Sequence, residues 1–198
     1  MMYADIRPTI ATEEIHRLDS ADLSDLCDAT EAAIFDGGGF GWIKPPDRFI
    51  LEQYWRGVLL IPERELYVGR LDGVIAASLQ LVRPPRNSEA AKFRAEIQSF
   101  FVAPWARGHG LARLILATAE ARAAVLGFDQ LNLDVRETQT RAIEVYEANG
   151  WIRWGTNPRY AQVGDRMLTG FYYYKILTPL ADKSKPQLNT STPNTTDS

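Results

Sequence analysis

The sequence is poor in the groups that bind metals and cross-link chains: Cys27 is its single cysteine, and His16 and His109 are its only histidines. One thiol permits no internal disulfide, and no Cys/His set with metal-ligand spacing can be assembled. No metal site is expected. An excess of positive charge is also missing. Lys and Arg number 22 against 25 Asp and Glu, a formal net charge of -3, and they are scattered along the chain. Such a balance leaves no electrostatic footprint for nucleic acid. No apolar run reaches the length of a membrane span, and "MMYADIRPTIATEEIHRLDS" is charged throughout, without the apolar centre of a secretory signal. A cytoplasmic protein with no membrane partner is the expectation, and a lone cysteine suits that compartment. Nothing repeats at the periods of roughly 20–50 residues that mark solenoids and propellers.

What the chain does have is enough apolar material for one core. Its 198 residues are 45% hydrophobic, which points to a single domain over residues 1–180. From Ala181 onward "ADKSKPQLNTSTPNTTDS" is almost wholly polar, and residues 181–198 are expected to be a disordered tail.

Periodicity divides the domain. "DIRPTIAT" reads as a first strand. Ser20 is the expected N-cap of a helix with Leu23, Leu26, Cys27 and Ile34 on one face, stopped by Gly37-Gly38-Gly39. Asp47 is the expected cap of a second helix, with an apolar stripe of Phe49, Ile50, Tyr54, Val58 and Leu59 that Pro62 ends. "ELYVGRLDGVIAASLQLV" reads as two antiparallel strands turned at Asp72-Gly73. Then come a strand in "AEIQSFFVA", a helix in "GLARLILATAEARAAVLGF", a strand in "QLNLDV", a helix in "TRAIEVYEANG", and strands in "WIRWGT" and "TGFYYYKIL". Gly127 and Gly150 occupy the C-cap slots of the two later helices. This order makes an α/β (α+β) fold with a mixed, mostly antiparallel sheet of six to seven strands and about four helices.

The segment "FFVAPWARGHGLARLILATAE" breaks this regularity. Between a strand and a helix it places Arg107, Gly108, His109 and Gly110. The helix that follows opens with N–H groups that have no intrahelical partner, and the glycines let an anion approach them. Arg107 beside them can pair with a phosphate oxygen. The same turn also serves as a bare strand-to-helix connection. A dinucleotide fingerprint needs a third glycine and a Walker loop needs Gly-Lys before Ser or Thr; both are absent here.

The turn resembles the acyl-CoA-binding motif of the GCN5-related N-acetyltransferase (GNAT) superfamily, Arg/Gln-x-x-Gly-x-Gly/Ala, with Arg107, Gly110 and Ala112 at the motif positions. A second stretch, "LNLDVRETQTRAIEVYEANGW", is similar to the family's next strand and helix, matching at Ala142, Tyr146, Glu147, Gly150 and Trp151. Both stand in the family's order. "WGTNPRYAQ" and "TGFYYYKIL" also resemble the branch near the tabtoxin-resistance acetyltransferases.

The resemblance implies a V-shaped splay between the fourth and fifth strands. There the main chain of Phe100, Phe101 and Val102 would pair with pantetheine amides as an added strand does. Acetyl-CoA is then the co-substrate, held at its diphosphate by Arg107, Gly108, His109, Gly110, Leu111 and Ala112. Gln139 stands where the family often has an Asn that contacts the cofactor. It implies an N-acetyltransferase acting by direct transfer on a primary amine of a small molecule. The competing reading is a non-catalytic acyl-CoA-binding or protein-interaction module.

Amine acetylation needs a base for the ammonium and an acid for the leaving thiolate. Tyr146 occupies the family's acid position, with an ordinary core tyrosine as its alternative. Asp134 and Glu96 are the candidate bases. Strand alternation sets Asn132, Asp134 and Arg136 on the face opposite Leu131, Leu133 and Val135. An ion pair with Arg136 or a nearby Arg is the competing role for Asp134, and a solvent-facing strand end that for Glu96. His109 reads as a backbone position within the turn. For the acceptor, "GGGFGWIKPP" offers Phe40 and Trp42, and "NPRYAQVGDR" offers Tyr160 as a second wall; loop aromatics equally serve to pin a loop to a core. Monomer and homodimer both remain open.

Overall fold

The structure is a computed structural model that describes residues 7–38 and 40–177. The tail at 181–198 and the end of the expected 1–180 domain lie outside the described residues. In chain order the elements are β1 (Ile10–Ile15), α1 (Ser20–Phe35), α2 (Arg48–Val58), β2 (Arg64–Leu71), β3 (Val74–Val82), β4 (Arg94–Val102), α3 (Leu111–Val125), β5 (Gln130–Arg136), α4 (Thr140–Ala148), β6 (Ile152–Val163) and β7 (Arg166–Ile176). The strands form one sheet in the order β1-β2-β3-β4-β5-β7-β6. β4 and β5 run parallel, and every other neighbouring pair is antiparallel.

Local chemistry explains the joints. Asp72 and Gly73 take φ of 49° and 87° between β2 and β3, the pair of positive angles that a two-residue hairpin of matching twist requires. Side-chain alternation then sorts the core. Tyr67 joins a cluster with Leu111, Ile115 and Leu116 of α3 and with Tyr146, whereas its neighbours Leu66 and Val68 join Leu26 of α1 and Trp55 of α2. Opposite faces of the sheet are thus covered by different helix pairs. α3 comes close to the sheet because β2 has Gly69 beneath it. A Cβ there would stand 2.8 Å from Leu111 Cδ1.

Four expectations shift. β1 starts at Ile10, late in "DIRPTIAT", and runs past it to Ile15, since Pro8 has no N–H to give a ladder. Asp19, not Ser20, caps α1: it is extended and its carboxylate accepts from Asp22 N at 2.8 Å. The apolar stripe of α2 is rotated, with Leu51, Trp55 and Val58 buried and Phe49 and Ile50 exposed. The indole decides that rotation, for Trp55 Nε1 donates to Thr30 Oγ1 at 3.1 Å inside the α1–α2 core. Finally, "NPRYAQVGDR" is no loop. It continues β6 into a hairpin at Gly164, with an irregularity between Asn157 and Ala161.

Candidate active site

β4 and β5 pair at only three positions, ending with Glu96 beside Asn132. Beyond them the strands part, and a bulge in β4 marks the place. Gln98 lies opposite Gln80 and Phe101 opposite Ser78, so Ser99 and Phe100 together face the single residue Leu79. Ser99 sits at φ 48°, a left-handed angle uncommon for a residue with a side chain. The gap between the strands is a cleft of about 260 Å3 whose walls include Ser99, Phe100, Asp134, Gln139, Tyr146 and Tyr160. On this side the edge of β4 from Ile97 to Val102 has no strand partner among the described residues.

The end of β4 leads into the glycine turn. Pro104–Ala106 makes a single short turn, and Gly108 and Gly110 then take φ of 87° and 85° before α3 starts at Leu111. Side chains avoid such angles and glycine does not. The opening N–H groups of α3 lack intrahelical acceptors, so they and the helix dipole face the turn. Arg107 is tied by its Nε to Val102 O at 3.3 Å and by Nη2 to Asp36 Oδ2 at 2.6 Å. His109 is exposed, Leu111 is buried under β2, and Ala112 is half-buried. Phe101 is buried with Phe40 at a ring separation of 5.3 Å, while Phe100 leans on Tyr146 at 5.9 Å and Val102 packs on the same cluster as Phe100.

Tyr146 is buried, yet it lines the cleft and its hydroxyl makes no hydrogen bond among the described residues. Burial, and next the charge of Asp134, pushes its phenol well above the usual range. It therefore stays protonated. Asp134 projects from β5 on the predicted face. It pairs with Tyr160, not Arg136: the Tyr160 hydroxyl donates to Asp134 Oδ2. Burial, and then that bond, keeps Tyr160 neutral. The irregular stretch of β6 swings Tyr160 across Gly170 of β7, where a Cβ would fall on the base of its ring. Glu96 is not brought to the cleft. It is exposed at the last paired position and accepts from Gln98 Nε2 at 3.1 Å. Cys27 lies in the other cluster, its thiol pushed up to about 11 by burial.

A second hollow of about 210 Å3 adjoins the cleft through Arg136, which lines both. Trp42, Thr138 and Arg166 are among its walls, and among the described residues no carboxylate is. Arg136 Nη2 donates to Phe40 O at 2.6 Å, and Gln139 Nε2 to Gly37 O at 2.5 Å. Those bonds clamp the α1–α2 loop to β5 and α4. Phe40 itself is buried against Trp55 and Phe101, so it pins the loop, while Trp42 faces the hollow.

Comparison with known proteins turns this geometry into a classification. The family model described as "Acetyltransferase (GNAT) family" matches residues 27–151, a span from α1 to the end of α4. The chain belongs to the GNAT acetyltransferase family. A relative from Azospirillum brasilense, an uncharacterized N-acetyltransferase of the hisH-hisA intergenic region, is 58% identical over 132 residues, 67% of this chain and 79% of the relative. The GNAT fold is shared with a phosphinothricin acetyltransferase of Sinorhizobium meliloti solved with AcCoA, at TM-score 0.70, 17% identity, and 93% and 95% of the two chains. It is shared also with a ribosomal-protein-alanine N-acetyltransferase of Brucella melitensis, at TM-score 0.69, 20% identity, and 84% and 99% coverage. The described residues of this GNAT chain hold no helix long and apolar enough to cross a membrane and no group of His, Cys, Asp and Glu placed to hold a metal.

Sequence reasoning missed the Asp36–Arg107 bridge, the Tyr160–Asp134 pair, and Arg136, Thr138 and Arg166 as walls. The first and second join residues far apart in the chain and have no local signal. The β6 irregularity could have been sought in "GTNPRY", where Pro158 cannot donate to a ladder.

Proposed function

We propose that this GNAT protein moves an acetyl group from acetyl-CoA to a primary amine of a small molecule by direct transfer in a ternary complex. One observation carries the reading. The unpartnered edge of β4 runs from the open amides after Gly108 straight to a cleft holding a free phenol, Tyr146, and a carboxylate, Asp134.

The residues fit the donor. Gly108, His109, Gly110, Leu111 and Ala112 offer backbone N–H groups and a helix N-terminus to a diphosphate. Arg107 adds a guanidinium that is now held by Asp36. The main chain of Phe100, Phe101 and Val102 offers a strand edge for an extended amide-bearing arm. Gln139 reaches the cleft with its amide bonded to Gly37 O, so it contributes there only by exchanging that bond. When bound, acetyl-CoA supplies a thioester carbonyl open to attack.

Asp134 accepts the proton of the incoming ammonium, and Tyr160 orients its carboxylate by donating to Oδ2. Tyr146 holds a proton at its hydroxyl, inside the cleft and without a competing partner, where a leaving sulfur needs one. Glu96, exposed and off the cleft, is left out of the proposed chemistry. The hollow bounded by Trp42, Arg136 and Arg166 receives the rest of the acceptor. Its two arginines and lack of lining carboxylates favour an amine that also bears an anionic group. A phosphinothricin acetyltransferase among the structures of the same fold is in keeping with that choice. A cytoplasmic setting, where acetyl-CoA is made and used, is part of the proposal. The test is an acceptor panel pairing amino acids with their carboxamides, scored by mass spectrometry for acetylated product. Acetylation of some members, faster for the carboxylates, is expected; bound acetyl-CoA with no product from any amine would leave only the non-catalytic reading.

A further inference from the structure

Ser99 holds one of two left-handed angles at non-glycine residues among the described residues. The other, Asp72, belongs to a hairpin turn that explains it. Ser99 belongs to the bulge in the cleft wall, and a strained residue there invites a functional explanation. Its side chain ends a part-buried polar chain. Ser99 Oγ lies 3.0 Å from the Tyr54 hydroxyl, which lies 3.0 Å from Gln80 Nε2, and Gln80 Oε1 is bonded by Arg64 Nη1. Gln80 has no exposed surface at all.

Donor chemistry gives the chain a direction. Arg64 can only donate, so Gln80 must turn its carbonyl toward Arg64 and its NH2 toward Tyr54. The Tyr54 oxygen then accepts from Gln80, and the one acceptor near its own proton is Ser99 Oγ. Ser99, having accepted, keeps its proton, and no other group among the described residues takes it. Every link points the same way, from a cation on β2 to the hydroxyl of a residue that lines the cleft, and bonds so aligned polarise one another.

We propose that Ser99 is a hydrogen-bond donor to the acyl carbonyl oxygen of the bound thioester, and that Tyr54 and Gln80 are positioning residues that aim and strengthen it. The inference rests on acetyl-CoA as co-substrate and adds a residue that no motif contains. It also gives the bulge a use: the left-handed turn at Ser99 keeps Oγ on Tyr54 while the residue lines the cleft.

The test compares binding of acetyl-CoA and of free CoA by calorimetry in the wild type, Ser99→Gly, Ser99→Ala and Tyr54→Phe. Glycine keeps the left-handed backbone without cost, so Ser99→Gly removes the hydroxyl alone, while Ser99→Ala removes it and keeps the strain. Tyr54→Phe leaves Ser99 in place without its donor. The preference for acetyl-CoA over CoA is expected to fall about three- to tenfold in all three, the effect of one neutral hydrogen bond, with the CoA affinity of Ser99→Gly unchanged. An undiminished preference in Ser99→Gly and Tyr54→Phe overturns the proposal. If neither ligand binds the wild type, the acetyl-CoA reading fails and takes this inference with it.

Discussion

The two sides of the cleft are built on different principles. The proposed donor side is one unbroken piece of chain, from β4 through the glycine turn to α3, and it offers main-chain groups: a free strand edge, open amides and a helix end. The proposed acceptor side is gathered from three distant stretches, the α1–α2 loop, the end of β5 with the start of α4, and the β6–β7 hairpin, and it offers side chains. A site made of backbone tolerates much change in side chains while its shape persists. A site made of side chains from separate segments can be respecified residue by residue. One fold can thus keep a common donor and vary its acceptor.

Substitutions can sharpen or break that contrast. Tyr146 stands where the two sides meet, and Tyr146→Phe is expected to cut kcat by about a hundredfold or more with acetyl-CoA affinity unchanged, the range for losing a general acid. Stopped-flow detection of released thiol with a saturating donor measures it, and a loss in affinity instead would assign Tyr146 to packing. On the donor side, Arg107→Ala removes a charge-assisted partner worth about 1.5–3 kcal/mol, so the acetyl-CoA Kd is expected to rise about ten- to a hundredfold with kcat little changed. An unaltered Kd would mean that the Asp36 bridge is all that Arg107 is for. On the acceptor side, Gly170→Val pushes the Tyr160 ring away from Asp134. Turnover is expected to fall about tenfold, as for one hydrogen bond to a charged group, while donor Kd stays put. Equal damage to donor binding would erase the distinction between the sides.

The smallest effect concerns acid. Glu65 is buried beneath α3, where Arg122 Nε donates to it at 2.9 Å and the Tyr67 hydroxyl at 2.9 Å. Burial alone would raise its pKa, but those two bonds together with the charges of Arg122 and Arg83 outweigh it and hold the carboxyl below its ordinary range. A depressed folded pKa means stability that is complete above the ordinary glutamate value, roughly 4.3, and is lost as pH falls from there through the folded value. Melting temperature should therefore drop through that acid window, and Glu65→Gln should flatten the drop at the expense of stability near neutral pH. Because α3 leans on this pair, the donor side is expected to loosen first.

How much was legible in the sequence follows the same division. The hairpin at Asp72-Gly73, the turn at Gly108 and Gly110, and the alternation that puts Asp134 opposite Leu133 are local rules, and each element stands where they put it. The rotation of α2 was misread because Phe49 and Ile50 are as apolar as Leu51 and Trp55, and only the bond from Trp55 to Thr30 of another helix chooses between the faces. Tyr160 was taken for a loop wall because the bulge that aims it depends on pairing with β7. Arg136 and Arg166 carried no sign of facing one hollow, since nothing local relates the end of β5 to a hairpin tip.

In the proposed complex the main chain following Pro104 and the free edge of β4 hold acetyl-CoA with its acyl group between Asp134 and Tyr146. A crystal soaked with acetyl-CoA addresses it directly. The expected result is diphosphate density against the amides of residues 108–112 and the pantetheine arm along Phe100–Val102. Coenzyme bound elsewhere, or a β4–β5 gap that stays closed to it at saturating concentration, would contradict the account.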